Sequence, residues 1–356
     1  SNSCRKVIPM DKSAKMTYTL IETAVDKGIR DIRGNTRRGI RNLVDLGSHL
    51  TQGLLMQHFF HIIQRMLADN NSHLYEFTRN VIDHVDHQVL KNVAVKLGYT
   101  CCTYGYQQIQ EYEQMHGYKV PRTLAFDFRE EYPDFLTQWE ISRLLAEGES
   151  IGIYCGVFLV NGNQQRLAEL VQGLTNQKEG VYFLLAPPEA INPVIAQMAV
   201  DAKNIVPVIS LQSQDDYLSY LTAVQVLFDH KCLFATYSEY DDDNLADLIS
   251  PNCLDLIEEA RGFAYFLIRS KNFTQAGNLQ LITDFLAKAA PRYPFLIFDL
   301  YSDLKEYANF ELNYFMSIRG DGTIAIRILD DLPPQYSIRT HSLRNIMEQV
   351  MPKLSY

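Results

Sequence analysis

The sequence predicts an α/β protein whose central part is a six-unit partial (β/α) barrel. Apolar residues recur every three or four positions in the first third of the chain, which is typical of amphipathic helices. Short apolar runs then alternate with helical patterns, and an Asp-Gly pair between two alternating segments near the end indicates a β-hairpin. We therefore expect an all-helical N-terminal region (1–117), the barrel (118–300) and a C-terminal extension with a hairpin and a helix (301–356).

The composition is that of an ordinary globular protein, with 47% apolar and 21% charged residues among 356. The formal net charge of −9 argues against a general nucleic-acid binder, so no nucleic-acid partner is expected. No apolar run of about 18 residues occurs, and no membrane span is expected. Six cysteines without the spacing of a disulfide framework fit reduced thiols and predict a cytoplasmic protein.

Amphipathic segments make up most of the N-terminal region. The breaks between them fall at Gly34-Asn35, near Thr51 and at Asn70-Asn71-Ser72, and both Thr51 and Ser72 are suitable N-cap residues. We expect about four helices here, the fourth covering residues 74–98. One further helix is expected before the first strand.

Six nearly continuous apolar runs predict the strands of the barrel, as expected when both faces of a sheet are covered. They lie at 123–128, 151–160, 181–186, 205–211, 232–238 and 264–270. Their strict alternation with helical patterns implies parallel strands and right-handed crossovers, in fewer units than the eight of a closed barrel. A further strand is expected at 295–300, then a hairpin around Gly320-Asp321-Gly322 and a helix capped by Ser342.

This order of parts resembles the radical SAM enzymes that carry a C-terminal SPASM or twitch-type extension. LTQWEISRLLAEGESIGIY (136–154) is similar to the helix and second strand of that family, and FMSIRGDGTIAIRILDD (315–331) with the tail at 336–350 is similar to its extension. VPVISL (206–211) is similar to the fourth strand, so the resemblance places Ser210 near the ribose of SAM. The similarity covers residues 120–350.

The residues that carry the chemistry of that family differ here. The resemblance implies a Cys-x3-Cys-x2-Cys loop after the first strand, but the loop from Arg129 to Leu136 contains no cysteine. The GGEP segment of the family reads Val160-Asn161-Gly162-Asn163, and residues such as Arg327 and Ile328 hold the cysteine positions of the extension. Carboxylates do not replace three thiolates at an iron–sulfur cluster. We therefore expect a degenerate radical-SAM-like protein without a [4Fe–4S] cluster.

Polar residues follow the strands at the expected mouth of the barrel, where such folds gather their ligands. The candidate ligand-binding residues are Asp127, Arg129, Glu130, Asn161, Asn163, Glu189, Ser210, Tyr237, Glu239, Arg269 and Asp299. Asp127 with Arg269 is a candidate catalytic pair, although a buried structural ion pair is the more common arrangement. No known catalytic motif appears, and no catalytic residue is assigned.

Two helical segments carry histidines at close spacing. His58 with His61, and His84 with His87, are weak candidates for a zinc or di-metal site. Surface or interface histidines explain the same spacing, and DHVDH is not a strong metal motif. A hydrogen-bonded clasp between the helical region and the barrel is the preferred interpretation for Asp86 and His87.

Two functions are compatible with these features. The first is a non-catalytic accessory protein that binds a peptide, a protein or a small ligand at the barrel mouth without any cofactor. The alternative is a cluster-independent enzyme that uses the polar mouth, with or without bound SAM. Metal-dependent chemistry in the helical region is a third hypothesis.

Overall fold

The computed structural model describes residues 10–213, 216–270, 272–300, 316–325 and 336–354. In chain order the α-helices are Lys12–Gly34 (α1), Thr36–Leu50 (α2), Leu54–Ala68 (α3), His73–His84 (α4), His87–Val95 (α5), Tyr106–His116 (α6), Gln138–Glu149 (α7), Gln164–Leu174 (α8), Pro193–Ala202 (α9), Tyr217–Asp229 (α10), Leu245–Leu248 (α11), Pro251–Ala260 (α12), Ala276–Asp284 (α13) and Leu343–Val350 (α14). The strands are Thr123–Phe128 (β1), Cys155–Val160 (β2), Val181–Ala186 (β3), Ile205–Ser210 (β4), Ala235–Tyr240 (β5), Ala264–Arg269 (β6), Leu296–Asp299 (β7), Ser317–Arg319 (β8) and Ile324–Ala325 (β9). None of these helices is long and apolar enough to cross a membrane.

The strands form one nine-stranded sheet in the order β7-β6-β5-β4-β3-β2-β1-β8-β9. Neighbours from β1 to β7 are all parallel, and β8 is parallel to β1. The partner of β8, β9, runs antiparallel to it. The α/β class and the predicted parallel strands are therefore confirmed, while closure of the sheet into a partial barrel stays a prediction.

Helices cover both faces of this sheet. On the face that we call outer, Phe126 and Phe158 belong to one buried cluster with Leu144 of α7 and Val171 of α8. On the opposite face, which we call inner, Phe298 of β7 packs on Phe59 of α3, with ring centroids 4.5 Å apart. Two covered faces explain why the strands read as continuous apolar runs rather than as alternating ones.

Helix α5 extends this cover toward the amino ends of the strands. Val89 and Val93 of α5 share a buried cluster with Val181 of β3 and Val206 of β4. The N-terminal helices thus remove apolar surface of the inner face from water, which stabilises both parts.

Two strands begin later than the sequence predicts. Ile151–Tyr154 precede β2, because Gly152 has a positive φ of 111° and the N–H of Ile153 donates to the Gly148 carbonyl at 2.9 Å. Residue Cys232 precedes β5, because its N–H donates to the Leu227 carbonyl at 3.0 Å and prolongs the end of α10. In both places apolar residues that the sequence pattern assigns to a strand are hydrogen-bonded to the end of the preceding helix.

Before β1 the described residues form six α-helices, α1 to α6, where about four and one further helix were predicted. The expected fourth helix ends at His84, and Asp86 caps a new one by accepting hydrogen bonds from the N–H groups of Gln88 and Val89. A π-helical segment, Lys96–Gly105, then leads into α6. An aspartate inside an amphipathic pattern is read as surface, so its role as a cap was missed.

The C-terminal hairpin and helix lie where they were predicted. The turn at Gly320-Asp321-Gly322 joins β8 to β9, and the Ser342 side chain accepts a hydrogen bond from the Asn345 N–H at 3.2 Å. The parallel pairing of β8 with β1 was not expected. The proposed cysteine positions at Arg327 and Ile328 lie outside the described residues.

A capping box begins α7. The Thr137 hydroxyl accepts a hydrogen bond from the Glu140 N–H at 3.2 Å, and Glu140 Oε2 accepts one from the Thr137 N–H at 2.8 Å. We expect Thr137→Ala to lower the free energy of unfolding by about 1 kcal/mol. Urea denaturation checks this, with Thr137→Ser as the control that keeps the hydroxyl. An equal loss in both variants would contradict a role for the cap.

Candidate functional site at the carboxyl ends of the strands

An arginine bridges two strands at the carboxyl ends of the sheet. Arg129, the first residue after β1, donates from Nε and Nη2 to the two carboxylate oxygens of Asp127 at 2.8 and 2.7 Å. Its Nη1 donates to Oε1 of Glu239 on β5 at 2.9 Å. We call these three residues the Arg129 clasp. It links β1 to β5, although three other strands lie between them in the order of the sheet.

The charges of the clasp stabilise one another. Burial opposes ionisation of Asp127, but the hydrogen bonds and charge of Arg129 outweigh it and hold the pKa of that carboxyl below its usual range. The hydrogen bond with Asp127 raises the pKa of Arg129. Arg319 adds a further positive charge near Asp127, its register partner on β8. Asp127 and Arg129 are therefore charged at neutral pH.

Below the clasp, the inner face carries a buried polar pair. Tyr237 and Ser210 are 5% and 6% exposed, and their side chains are hydrogen-bonded to each other. Burial raises the pKa of the Tyr237 hydroxyl, which stays protonated. The N–H of Glu239 donates to Oε1 of Gln212 at 3.1 Å, which fixes the end of β5. The clasp therefore lies above strand ends that are buried and hydrogen-bonded to one another.

A second polar cluster joins the ends of β1 and β2. The Asn161 amide donates to the Arg129 carbonyl at 3.1 Å and to Oε1 of Glu131 at 2.9 Å. Arg166 of α8 forms an ion pair with Glu131 and lies over the Phe135 ring, 3.9 Å from its centroid. The hydrogen bond from Asn161, followed by that from Arg166, lowers the pKa of Glu131.

The remaining loop candidates lie around these two clusters. Asn163 accepts a hydrogen bond from the Arg166 N–H at 3.1 Å and so caps α8. Glu130 accepts from the Tyr132 hydroxyl at 2.9 Å and is exposed. Glu189 is exposed and packs beside Gly162. A Cβ added to Gly162 would lie 2.9 Å from Cγ of Glu189.

Two of the predicted mouth residues lie on the outer face instead. Asp299 is fully buried and accepts a hydrogen bond from the Tyr240 hydroxyl at 3.1 Å. Arg269, the register partner of Tyr240, lies over the Phe273 ring at 4.4 Å. Alternate residues of a strand point to opposite faces, and these three share the parity that meets the outer helices. Their side chains therefore face away from the Arg129 clasp.

The four histidines do not converge on a metal site. Nε2 of His84 bonds the Phe228 carbonyl at 2.6 Å, and Nε2 of His87 bonds Oδ1 of Asp26 at 2.7 Å. His61 is exposed, and the ring of His58 lies beside Phe59. Among the described residues, no three His, Cys, Asp or Glu side chains are grouped to hold a metal ion.

The predicted hydrogen-bonded contact between the helical region and the rest of the chain exists at Asp86, and His84 adds to it in place of His87. His84 stacks on Phe228 of α10 with centroids 3.4 Å apart, in addition to its hydrogen bond there. The backbone N–H of Asp86 donates to the Lys231 carbonyl at 2.9 Å. His87 was expected to take part, but its bond to Asp26 lies within the helical region.

Reasoning from the sequence missed two residues that shape the site, Arg166 and Arg319. Glu131 and Arg166 form the second cluster, Gln212 fixes the end of β5, and Arg319 joins from β8. Glu131 stands in the loop after β1, where polar residues were expected at the mouth, so its partner on α8 was the missing information. Arg319 could not be placed, because nothing in the sequence indicates that β8 pairs with β1.

Comparisons with known proteins support the fold. No protein-family model matches the chain, and no curated sequence does either. Three structures of SuiB from Streptococcus suis are similar: SuiB itself, SuiB bound to S-adenosylmethionine, and SuiB bound to the precursor peptide SuiA. Each has a TM-score of 0.50 and 12 to 13% sequence identity, over 72% of this chain and 70 to 71% of the SuiB chain. This likeness shows that the two chains share a fold over that length.

Proposed function

We propose that this chain is a degenerate radical-SAM-like protein, a partial barrel without an iron–sulfur cluster that binds a peptide at its mouth. In this proposal it acts as an accessory or recognition protein and not through radical chemistry. The observation that carries the proposal is the loop between β1 and α7, residues 129–136. This loop contains no thiol, and its polar side chains bind the protein's own strand ends and helices.

The thiols of the described residues do not fit an iron–sulfur cluster at the mouth. Cys155 begins β2, and Sγ of Cys101 lies 3.5 Å from the Tyr154 carbonyl, so both are at the amino ends of the strands. Cys232 and Cys253 are buried in the cluster of the outer face. A cluster requires thiolates that converge on one space, and the mouth supplies carboxylates instead.

The segment at the end of β2 also argues against a SAM site of the family's kind. The Asn161 amide is hydrogen-bonded to Glu131, and Glu189 packs beside Gly162 where the resemblance implies the methionine end of SAM. Ser210, the residue expected near the ribose, is 6% exposed and bonded to Tyr237. The protein's own side chains use the groups that would be expected to bind SAM.

A peptide ligand is supported by the polar character of the mouth and by the fold comparison. Both charge signs are present there, in Asp127, Glu130 and Glu239 and in Arg129 and Arg319. SuiB, which has a similar fold, has been seen bound to a precursor peptide. Polar groups of both signs suit the backbone and side chains of a peptide.

Anaerobic reconstitution with iron and sulfide tests the absence of a cluster. We expect no absorbance of an iron–sulfur chromophore and no stoichiometric iron. About four irons per chain would overturn this part of the proposal. Calorimetric titration with SAM, S-adenosylhomocysteine and 5′-deoxyadenosine tests the alternative enzyme, and binding near one molecule per chain would favour that alternative.

Selection from a random peptide library on the immobilised full chain tests peptide binding. We expect enriched sequences whose affinity for the Asp127→Asn/Glu239→Gln variant is lower than for the unmodified chain. The matched control is Asp229→Asn, an exchange on α10 at the opposite end of the strands. The proposal fails if no sequence is enriched, or if enriched peptides bind all three proteins equally.

A further inference from the structure

The Arg129 clasp has the geometry of an occupied guanidinium site. Asp127 receives two parallel N–H bonds at 2.8 and 2.7 Å, and Glu239 receives a third at 2.9 Å from the remaining edge. A planar guanidinium fits such a fork, whereas an ammonium group has no pair of parallel donors for it. The occupant seen in the structure is a side chain of the same chain.

The two carboxylates lie on strands, whereas the guanidinium that they bind belongs to a loop residue. Asp127 and Glu239 belong to β1 and β5, and both project from the inner face above the buried pair Tyr237 and Ser210. Arg129 belongs to the loop that follows β1. Exchange of this side chain for another requires rotation of Arg129 alone and leaves the two carboxylates in place.

The site is accessible to a ligand. The side chains of Arg129, Asp127 and Glu239 are 44%, 31% and 32% exposed. A second guanidinium in place of the first keeps both carboxylates paired with a positive charge. The net charge of −9 attracts a cationic ligand toward the protein.

We propose that Asp127 and Glu239 form a binding site for an arginine side chain of the partner peptide, which Arg129 occupies in the free protein. The inference rests on the proposed peptide-binding function and names the class of peptide: one that contains arginine. Arg129 then acts as an internal competitor. Binding of the peptide arginine then displaces the Arg129 side chain from the two carboxylates.

The Arg129→Ala variant tests this directly on the full chain. The probe is N-acetyl-arginine methylamide, measured by calorimetry beside the corresponding lysine and citrulline compounds. We expect the arginine compound to bind Arg129→Ala at least about tenfold more tightly than the unmodified chain. Lysine should bind more weakly, and the neutral citrulline should not bind. The Arg129→Ala/Asp127→Asn double variant should lose the gain.

Arg129→Gln is the second variant, since it removes the charge but keeps much of the side-chain volume. Equal affinity of both single variants and the unmodified chain for the arginine compound would overturn the inference. Equal binding of arginine, lysine and citrulline compounds would also overturn it. If the library selection enriches only peptides without arginine, this inference fails while peptide binding stands. Another outcome is that the library enriches no peptide while the Arg129→Ala variant still binds the arginine compound selectively. In that case the proposed function fails and the guanidinium site stands.

Discussion

Replacing Glu149 with glutamine is expected to raise the free energy of unfolding by about 3 kcal/mol near pH 8.5. Glu149 ends α7 and is only 6% exposed. Burial, followed by the negative charge of Glu179, raises the pKa of this carboxyl from 4.5 to about 7, although Lys96 acts in the opposite direction. Its Oε1 has no hydrogen-bond partner among the described residues. Ionisation of Glu149 therefore costs more in the folded chain than in the unfolded one.

The raised pKa of Glu149 decides how the free energy of unfolding changes with pH. The folded protein holds the proton more tightly than the unfolded chain, so this contribution to stability is fully present below about pH 4.5. It is lost as the pH rises through about 7. Glutamine cannot ionise, and the difference in stability between Glu149→Gln and the unmodified chain should grow over this window. Other carboxylates change stability in both proteins alike.

Urea denaturation at a series of pH values measures that difference. The matched control is Glu111→Gln, which removes the charge of an exposed glutamate on α6. Its difference from the unmodified chain should stay nearly constant from acid to alkaline pH. A flat difference curve for Glu149→Gln would show that the buried carboxyl does not titrate in this range.

Periodicity alone located most helices and strands, because each buried segment repeats at the spacing its structure requires. The start of α7 was predictable from a different local signal, because Thr137 and Glu140 are spaced as a capping box. The break at Asp86 was not, because a cap inside a continuous amphipathic pattern resembles a surface position. The pairing of β8 with β1 is a non-local property that no short stretch of sequence encodes.

Residues of the site could be assigned to a face of the sheet only where polar and apolar residues alternate along the strand. Asp127 lies between Phe126 and Phe128, so its polarity reveals that it points away from the buried phenylalanines of the outer face. Asp299 follows three apolar residues that are covered on both sides, and the pattern there does not reveal its parity. When both faces of a sheet are buried, the sequence does not show which face a given side chain points to. Asp299 was therefore expected at the mouth.

Replacing Gly152 with alanine is expected to lower the free energy of unfolding by about 3 kcal/mol or more. Gly152 lies in the turn between α7 and β2 with φ of 111°, a conformation that side chains with a Cβ rarely adopt. A Cβ there would stand 2.5 Å from the Gly105 carbonyl oxygen and 2.8 Å from Cβ of Gln108. Backbone occupies the space on the other side, so the contact cannot be relieved by rotating a side chain.

Gly105 separates the two causes of that loss. It lies at the end of the π-helical segment with φ of −63°, which alanine adopts freely, yet its Cβ would stand 2.4 Å from the Gly152 carbonyl oxygen. Gly105→Ala should therefore lose the steric part alone, and Gly152→Ala should lose more because of its positive φ. Gly98, in the same π-helical segment, serves as the control, since a Cβ added there would have no atom within 4 Å.

These three variants test whether the helical region and the sheet are joined by direct backbone contact at this point. We expect Gly98→Ala to be neutral or slightly stabilising, since alanine favours helical backbone over glycine by up to about 1 kcal/mol. Hydrogen exchange should report faster exchange of the N–H groups of α6 and of the turn before β2 in Gly152→Ala. Equal stability of Gly152→Ala and Gly98→Ala would mean that the two backbones do not approach as closely as the structure places them. A large loss in Gly152→Ala with unchanged exchange in α6 would assign the cost to the turn alone.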